Sequence, residues 1–183
     1  EPAFSICVYC GSRPGIEPAF AAVAAQVGHW IGRHGGQLVY GGGGGGLMGI
    51  VADAALAAGG RVVGVIPRAL VELEHAHRGC TELIVVETMH ERKKVMFMNA
   101  DAIVALPGGP GTLDELFEVL TWRQLGIGDK PCAFLDVEGF YTPLMGMIDR
   151  TTRNAVVAEF CDRLEAVGLS FPGDIDSTLD LLE

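Results

Sequence analysis

Positive charge is scarce in this chain. Thirteen Lys and Arg stand against 23 Asp and Glu, a formal net charge of −10, and only three of the cations are lysines, at 93, 94 and 130. So acidic a chain does not attract nucleic acid or anionic lipid non-specifically, so neither class of partner is expected. The few cations can still gather at one site for a small anion. Long apolar runs are lacking as well. The most hydrophobic stretch, residues 49 to 66, is rich in glycine and broken by Asp53 and Arg61, which excludes a bilayer-spanning helix there. The first residues do not show the basic-then-apolar pattern of a signal peptide. A disulfide framework is also missing, because the five cysteines are odd in number and scattered at 7, 10, 80, 132 and 161. Free thiols suit a reducing compartment, and the expected location is the cytoplasm. Cys7 and Cys10 form a C-x-x-C pair, but inside an apparent strand and without a second pair to complete a zinc site. They read as ordinary buried cysteines, and His75 and His77, two apart among charged residues, do not read as ligands. No metal is expected.

What is present is a repeated unit. An apolar run is followed by a glycine-rich turn and then by a helical segment, three times over. Phe4 to Cys10 leads into Gly11-Ser12-Arg13-Pro14-Gly15 and a helix of about 17 to 33. Gln37 to Tyr40 leads into six consecutive glycines, 41 to 46, and a helix of about 47 to 58. Asp101 to Leu106 leads into Pro107-Gly108-Gly109-Pro110-Gly111-Thr112 and a helix of about 112 to 125. Further strands are expected at Arg61 to Ile66, Leu83 to Val86, Cys132 to Leu135 and Leu164 to Val167. Further helices are expected at about 89 to 100, after Phe140, and near Ile175 to Leu182. Gly35-Gly36 and Gly59-Gly60 fall where left-handed helix ends belong. Strands that are apolar at nearly every position belong to a sheet buried on both faces, and their alternation with helices makes that sheet parallel. The expected fold is therefore α/β, a three-layer Rossmann-like sandwich, in a single domain over residues 1–183. In such sheets ligands bind beyond the carboxyl ends of the strands, where all three glycine turns lie.

Each turn admits a functional and a structural reading. In the six-glycine run, Gly42 and Gly43 could bring backbone amides against a nucleotide phosphate, as could Gly11 and Ser12 in the first turn; equally, the glycines could serve tight packing. A dinucleotide site is not expected, because the next strand ends Val65-Ile66-Pro67-Arg68 without the acidic residue that would hold a ribose. The third turn offers Gly108, Gly109, Gly111 and Thr112 as a phosphate nest without the lysine of a Walker loop. Thr112-x-x-Glu115 also matches a capping box, so Glu115 is either a helix cap or a carboxylate facing the ligand. Glu118, one turn on, is expected to be solvated or paired. Met89-His90-Glu91-Arg92-Lys93-Lys94 sets three cations at a helix start, against the dipole, an arrangement that a bound anion would relieve; the plain alternative is a solvated basic turn with Glu91 as partner. Arg92 suits a bidentate contact with phosphate or carboxylate.

Taken together, these segments resemble the LOG family of cytokinin-activating phosphoribohydrolases, often labelled lysine decarboxylase-like. The resemblance runs from Cys10-Gly11-Ser12 through Tyr40 to Gly43, Gly46-Leu47-Met48-Gly49, Met89-His90-Glu91-Arg92-Lys93, Pro107-Gly108-Gly109-x-Gly111-Thr112-x-x-Glu115 and Leu120-Thr121-Trp122, to Lys130-Pro131 and Gly139-Phe140-Tyr141. It implies a Rossmann-like homodimer or larger homo-oligomer, without a cofactor, that hydrolyses the N-glycosidic bond of adenine-type nucleoside 5′-monophosphates. It places Arg92 and Glu115 in the catalytic positions, Gly108, Gly109, Gly111 and Thr112 at the phosphate, and Met89 and Lys93 near the nucleotide. Two departures stand out: Gly44 and Gly45 replace a common Ser and apolar residue, and Pro110 replaces a bulky one. A nucleotide or molybdenum-cofactor carrier of the same fold is the non-enzymatic alternative. The inherited lysine decarboxylase label would require a Schiff-base lysine from among only three.

Overall fold

The computed structural model describes residues 1–13, 15 and 17–148. Six parallel strands form one sheet in the order β4-β3-β2-β1-β5-β6: β1 Ser5–Tyr9, β2 Gln37–Tyr40, β3 Arg61–Pro67, β4 Glu82–Val86, β5 Ala102–Ala105 and β6 Cys132–Phe134. Every residue of β2, β5 and β6 is buried, as the unbroken apolar runs require of strands covered on both faces. The edge strand β4 is more open, with an exposed–intermediate pattern. The helices are α1 Pro18–Arg33, α2 Gly46–Ala57, α3 Met89–Met98, α4 Pro110–Gln124 and α5 Thr142–Met145. This is the α/β fold that the sequence pattern predicts. The expected strand at 164–167 and helix at 175–182 lie outside the described residues.

The α1 and α2 helices lie against each other at backbone distance. A Cβ on Gly28 would stand 2.2 Å from the Val51 carbonyl oxygen, and one on Gly32 would stand 2.6 Å from that of Ala55. Only hydrogen fits between them. Both helices end as expected, with Gly35 at φ +69° and Gly59 at φ +86°. The α3 and α4 helices also meet each other. The Phe97 and Trp122 rings are 4.9 Å apart edge to face, and Lys93 reaches Asp114 at 3.1 Å and Glu118 at 2.6 Å. Lys130 closes the far end of α3: its Nζ donates to the Phe97 and Ala100 carbonyls and sits 4.5 Å above the Phe97 ring.

The chain runs outward from β1 through β2, β3 and β4, then returns to place β5 on the other side of β1. Strands β1 and β5 are therefore neighbours whose following connections diverge. A crevice opens between their carboxyl ends, which is where ligands bind in such sheets.

Candidate active site

That crevice is a cavity of about 530 Å³, a size suited to a nucleotide. Its walls bring together the three turns: Gly11, Ser12 and Arg13 after β1, Gly41 after β2, and Pro107 to Thr112 after β5. Met89 and Arg92 of α3 and Glu115 of α4 complete the polar part, while Leu47, Met48, Met96, Phe20 and Phe140 make an apolar side. The Phe140 wall is set by Asp136, which accepts from the amides of Tyr141 and Thr142 and from the Thr142 hydroxyl, and by the Tyr141 hydroxyl, which donates to the Leu106 carbonyl.

The start of α4 differs from the capping box suggested by the sequence. Its N-cap is Gly109, with Pro110 in the first turn, so Thr112 falls inside the helix and no side chain caps this end. The fixed φ of proline suits the first helical position, which moves the helix start two residues toward the N-terminus. The consequence is chemical. Leu113 N donates to Gly109 O, but the amides of Gly111 and Thr112 have no acceptor among the described residues. A Cβ at Gly109 or Gly111 would meet nothing within 4 Å, so the approach to these amides is open. An uncapped helix N-terminus with clear space before it is an anion site. The start of α2, by contrast, is closed: Met48 N donates to Gly11 O, and a Cβ on Gly46 would strike the backbone of Ser12 and Arg13.

Gly42 and Gly43 do not line the cavity. Gly42 has φ +76° and packs on Val65, Ile66 and Leu83, while Gly43 bridges to Ala76. Gly44 donates to the carbonyls of Glu74 and His75. The run packs against the segment that follows β3, which is the structural reading of those glycines. Gly44 and Gly45, the first departure from the family pattern, are likewise away from the cavity, whereas Pro110 borders it.

Arg92 and Lys93 are both buried, at 4% and 7% exposure, so of the three cations at the start of α3 only Lys94 is solvated. Glu91 is occupied in a capping box with Thr88. Lys93 faces Asp114 and Glu118 rather than the cavity. Arg92 donates from Nε to the Val65 carbonyl, and from Nη2 to the Gly41 carbonyl and to Glu74, 2.8 Å away. Among the described residues its Nη1 meets only the Met89 sulfur, at 3.9 Å, a weak acceptor. Three N–H groups thus hold the guanidinium while the Nη1 edge stays available to a ligand.

Glu115 borders the same cavity with its side chain half-buried. Burial pushes its carboxyl up to about 7, with Asp114 and Glu74 adding to the rise, while Arg92 and, less, Lys93 oppose it. Glu74 was not singled out in the sequence, since it sits in an irregular acidic segment, yet it lines the cavity and pairs with Arg92. The cavity wall contains no lysine among the described residues. His77 is bound to Asp53 at 2.8 Å and accepts from Gly79 N, and no metal-holding group of His, Cys, Asp and Glu occurs among the described residues. Cys7, Cys10, Cys80 and Cys132 are free thiols.

Known proteins resemble this chain in sequence and in fold. A family described as "Possible lysine decarboxylase" matches residues 48–167. A cytokinin riboside 5′-monophosphate phosphoribohydrolase of Rhodococcoides fascians is 49% identical over 146 residues, covering 79% of this chain and 74% of that protein. One from Arabidopsis thaliana is 43% identical, over 87% of this chain and 75% of its own length. A probable one from Oryza sativa subsp. japonica is 44% identical, over 87% of this chain and 71% of its own. Among solved structures, a molybdenum cofactor carrier protein from Chlamydomonas reinhardtii superposes with a TM-score of 0.62 at 25% identity, covering 80% of this chain and 82% of that one. A molybdenum cofactor binding protein from Rippkaea orientalis gives 0.59 at 25% identity, over 74% and 76%. The chain belongs to the family described as possible lysine decarboxylases, the LOG family of cytokinin riboside 5′-monophosphate phosphoribohydrolases.

Proposed function

We propose that this protein hydrolyses the N-glycosidic bond of adenine-type nucleoside 5′-monophosphates, AMP and its N6-substituted cytokinin forms, to free base and ribose 5-phosphate. The observation that carries this reading is the placement of an open anion site and a carboxylate on one helix. Glu115 lies three residues beyond Thr112, about 4.5 Å along the axis. A 5′-phosphate on the Gly111 and Thr112 amides therefore sets the ribose beside Glu115. Breaking the ribosyl–base bond builds positive charge on the sugar, which an ionised Glu115 stabilises while it attacks the sugar or activates water. Arg92 remains protonated throughout and orients the substrate through its Nη1 edge. The apolar wall of Leu47, Met48, Met96 and Phe140 supplies a surface for the base.

Decarboxylation of lysine on a pyridoxal cofactor is disfavoured by the lysines themselves. Lys93 is engaged with two carboxylates, Lys130 with two carbonyls, and Lys94 is on the exposed side of α3. The active form we propose is a homodimer or larger homo-oligomer of the cytoplasm. Exposed Met98 on α3 and Phe117 on α4, with Leu125 after it, give a second copy an apolar surface to cover. Its free thiols suit a reducing compartment. No helix among the described residues is long and apolar enough to cross a membrane.

The test is incubation with AMP and chromatographic assay of free adenine. Release of adenine and ribose 5-phosphate in equal amounts is expected. A thermal shift with AMP but no adenine would replace hydrolysis with a carrier role. The phosphate site has its own test in Gly111→Asp. A carboxylate in the first turn of a helix favours the dipole, so the melting temperature should not fall. The same carboxylate would repel the phosphate, and KM for AMP is expected to rise at least about tenfold.

A further inference from the structure

We propose that Glu74 is a positioning residue of this site: it fixes the Arg92 guanidinium with the Nη1 edge toward the cavity, and it balances the Arg92 charge beside Glu115. The inference rests on the hydrolytic reading above and names a residue that reading does not use. Glu74 Oε2 is 2.8 Å from Arg92 Nη2, with side-chain exposures of 18% and 5%, so the pair is largely removed from water. The segment carrying Glu74 is clasped by the glycine run. Gly44 N donates to the carbonyls of Glu74 and His75, His77 N donates to Gly42 O, and Gly43 bridges to Ala76. A Cβ on Gly44 would stand 2.6 Å from the His75 carbonyl oxygen, and one on Gly43 would stand 3.3 Å from that of Glu74. His75 itself is held at φ +48°, a conformation that a non-glycine residue keeps only when its surroundings impose it. His77 bonded to Asp53 ties the far end of the segment to α2. Gly42, Gly43 and Gly44 thus form the socket that sets Glu74 against Arg92.

Charges from three directions surround Glu115. Arg92 and Lys93 approach from α3, Asp114 from α4 and Glu74 from the clasped segment, while Cys7 and Tyr9 on β1 and Cys10 just after it stay uncharged because burial raises their own titration. Arg92 alone would hold Glu115 ionised and tied to the guanidinium. Glu74, paired to it, offsets part of that pull, behind burial and Asp114, so that Glu115 is not locked to the guanidinium and can act on the sugar.

Two variants separate geometry from charge. Glu74→Gln keeps an acceptor for Nη2 and removes the charge; Glu74→Asp keeps the charge and withdraws the acceptor by one methylene. The readouts are the ¹³C NMR titration of the Glu115 carboxyl and the pH profile of kcat with AMP. With Glu74→Gln the titration of Glu115 and the acid limb of kcat are both expected to move down, by about one pH unit. With Glu74→Asp both should move much less, because the charge remains, while kcat drops, about tenfold, because the Arg92 fork is turned from its aim. A Glu115 titration unchanged in Glu74→Gln, or an Asp variant that behaves like the Gln variant, would overturn the proposal. The NMR arm does not depend on turnover. If it shifts as expected while wild-type protein releases no adenine, the coupling stands and the hydrolytic reading falls.

Discussion

Glu115→Gln is expected to cut adenine release from AMP by about 10²–10⁴-fold without lowering the melting temperature. The stability half of this prediction comes from the start of α4. Because Gly109 is the N-cap and Glu115 caps nothing, glutamine removes no helix-end hydrogen bond. The pH dependence has a definite sign. The carboxyl of Glu115 is raised to about 7 in the folded chain by burial first, then by Asp114 and Glu74. A group raised on folding contributes stability that is present below its unfolded value and lost as pH climbs through the folded one. Glutamine does not titrate. Its melting temperature should therefore match wild type at pH 4, pull ahead between about pH 4.5 and 7, and keep a constant lead above that. Activity runs the opposite way, since the sugar cation needs the ionised form. Wild-type kcat should show an acid limb near pH 7, and the residual rate of the variant should not. Scanning calorimetry and a pH series of single-turnover rates check both halves; a variant that loses its melting temperature and keeps its rate per folded molecule would return Glu115 to a structural role.

Removal of Arg92 has the second largest expected effect, on stability as well as on rate. In Arg92→Met the Glu74 carboxylate is left largely buried and uncompensated, and the carbonyls of Val65 and Gly41 lose their donor. Breaking such a pair from one side costs about 3–5 kcal/mol. Urea unfolding should show most of that loss, and Arg92→Met combined with Glu74→Gln should recover part of it, a coupling that independent sites would not show. Arg92→Lys keeps a charge but cannot reach Val65 O, Gly41 O and Glu74 at once in the fork geometry that guanidinium provides. Its kcat/KM is expected to fall by about 100-fold with a smaller stability loss.

The described strands and the location of the candidate site were legible in the sequence because their cause is local. Strands buried on both faces are apolar at nearly every position, and a glycine turn after each of β1, β2 and β5 marks the ligand edge of a parallel sheet. The start of α4 was misplaced because Thr112-x-x-Glu115 fits a capping pattern as well as Gly109-Pro110 fits a helix start. Only the fixed φ of Pro110 decides between them. Arg92 and Lys93 look equivalent in sequence, but neighbours on a helix point about 100° apart, and one meets the cavity while the other meets α4. Glu74 had no periodicity to reveal it, because contacts with residues about thirty positions earlier place it. The same contacts pack Gly42 and Gly43 against that segment, a placement no glycine pattern distinguishes from phosphate binding.

Six consecutive glycines are also the stretch of this chain with most conformational freedom to lose on folding, about 1–2 kcal/mol of backbone entropy per residue. A side chain in the run would lower that cost and stiffen the unfolded chain, the usual route to a more stable protein. At Gly43 and Gly44 that gain is lost, because the added Cβ would press on Met48 and on the backbone of the segment that carries Glu74. Selection for heat tolerance and selection for turnover therefore both keep glycine at these two positions, and thermostabilised variants of this protein should gather their substitutions elsewhere.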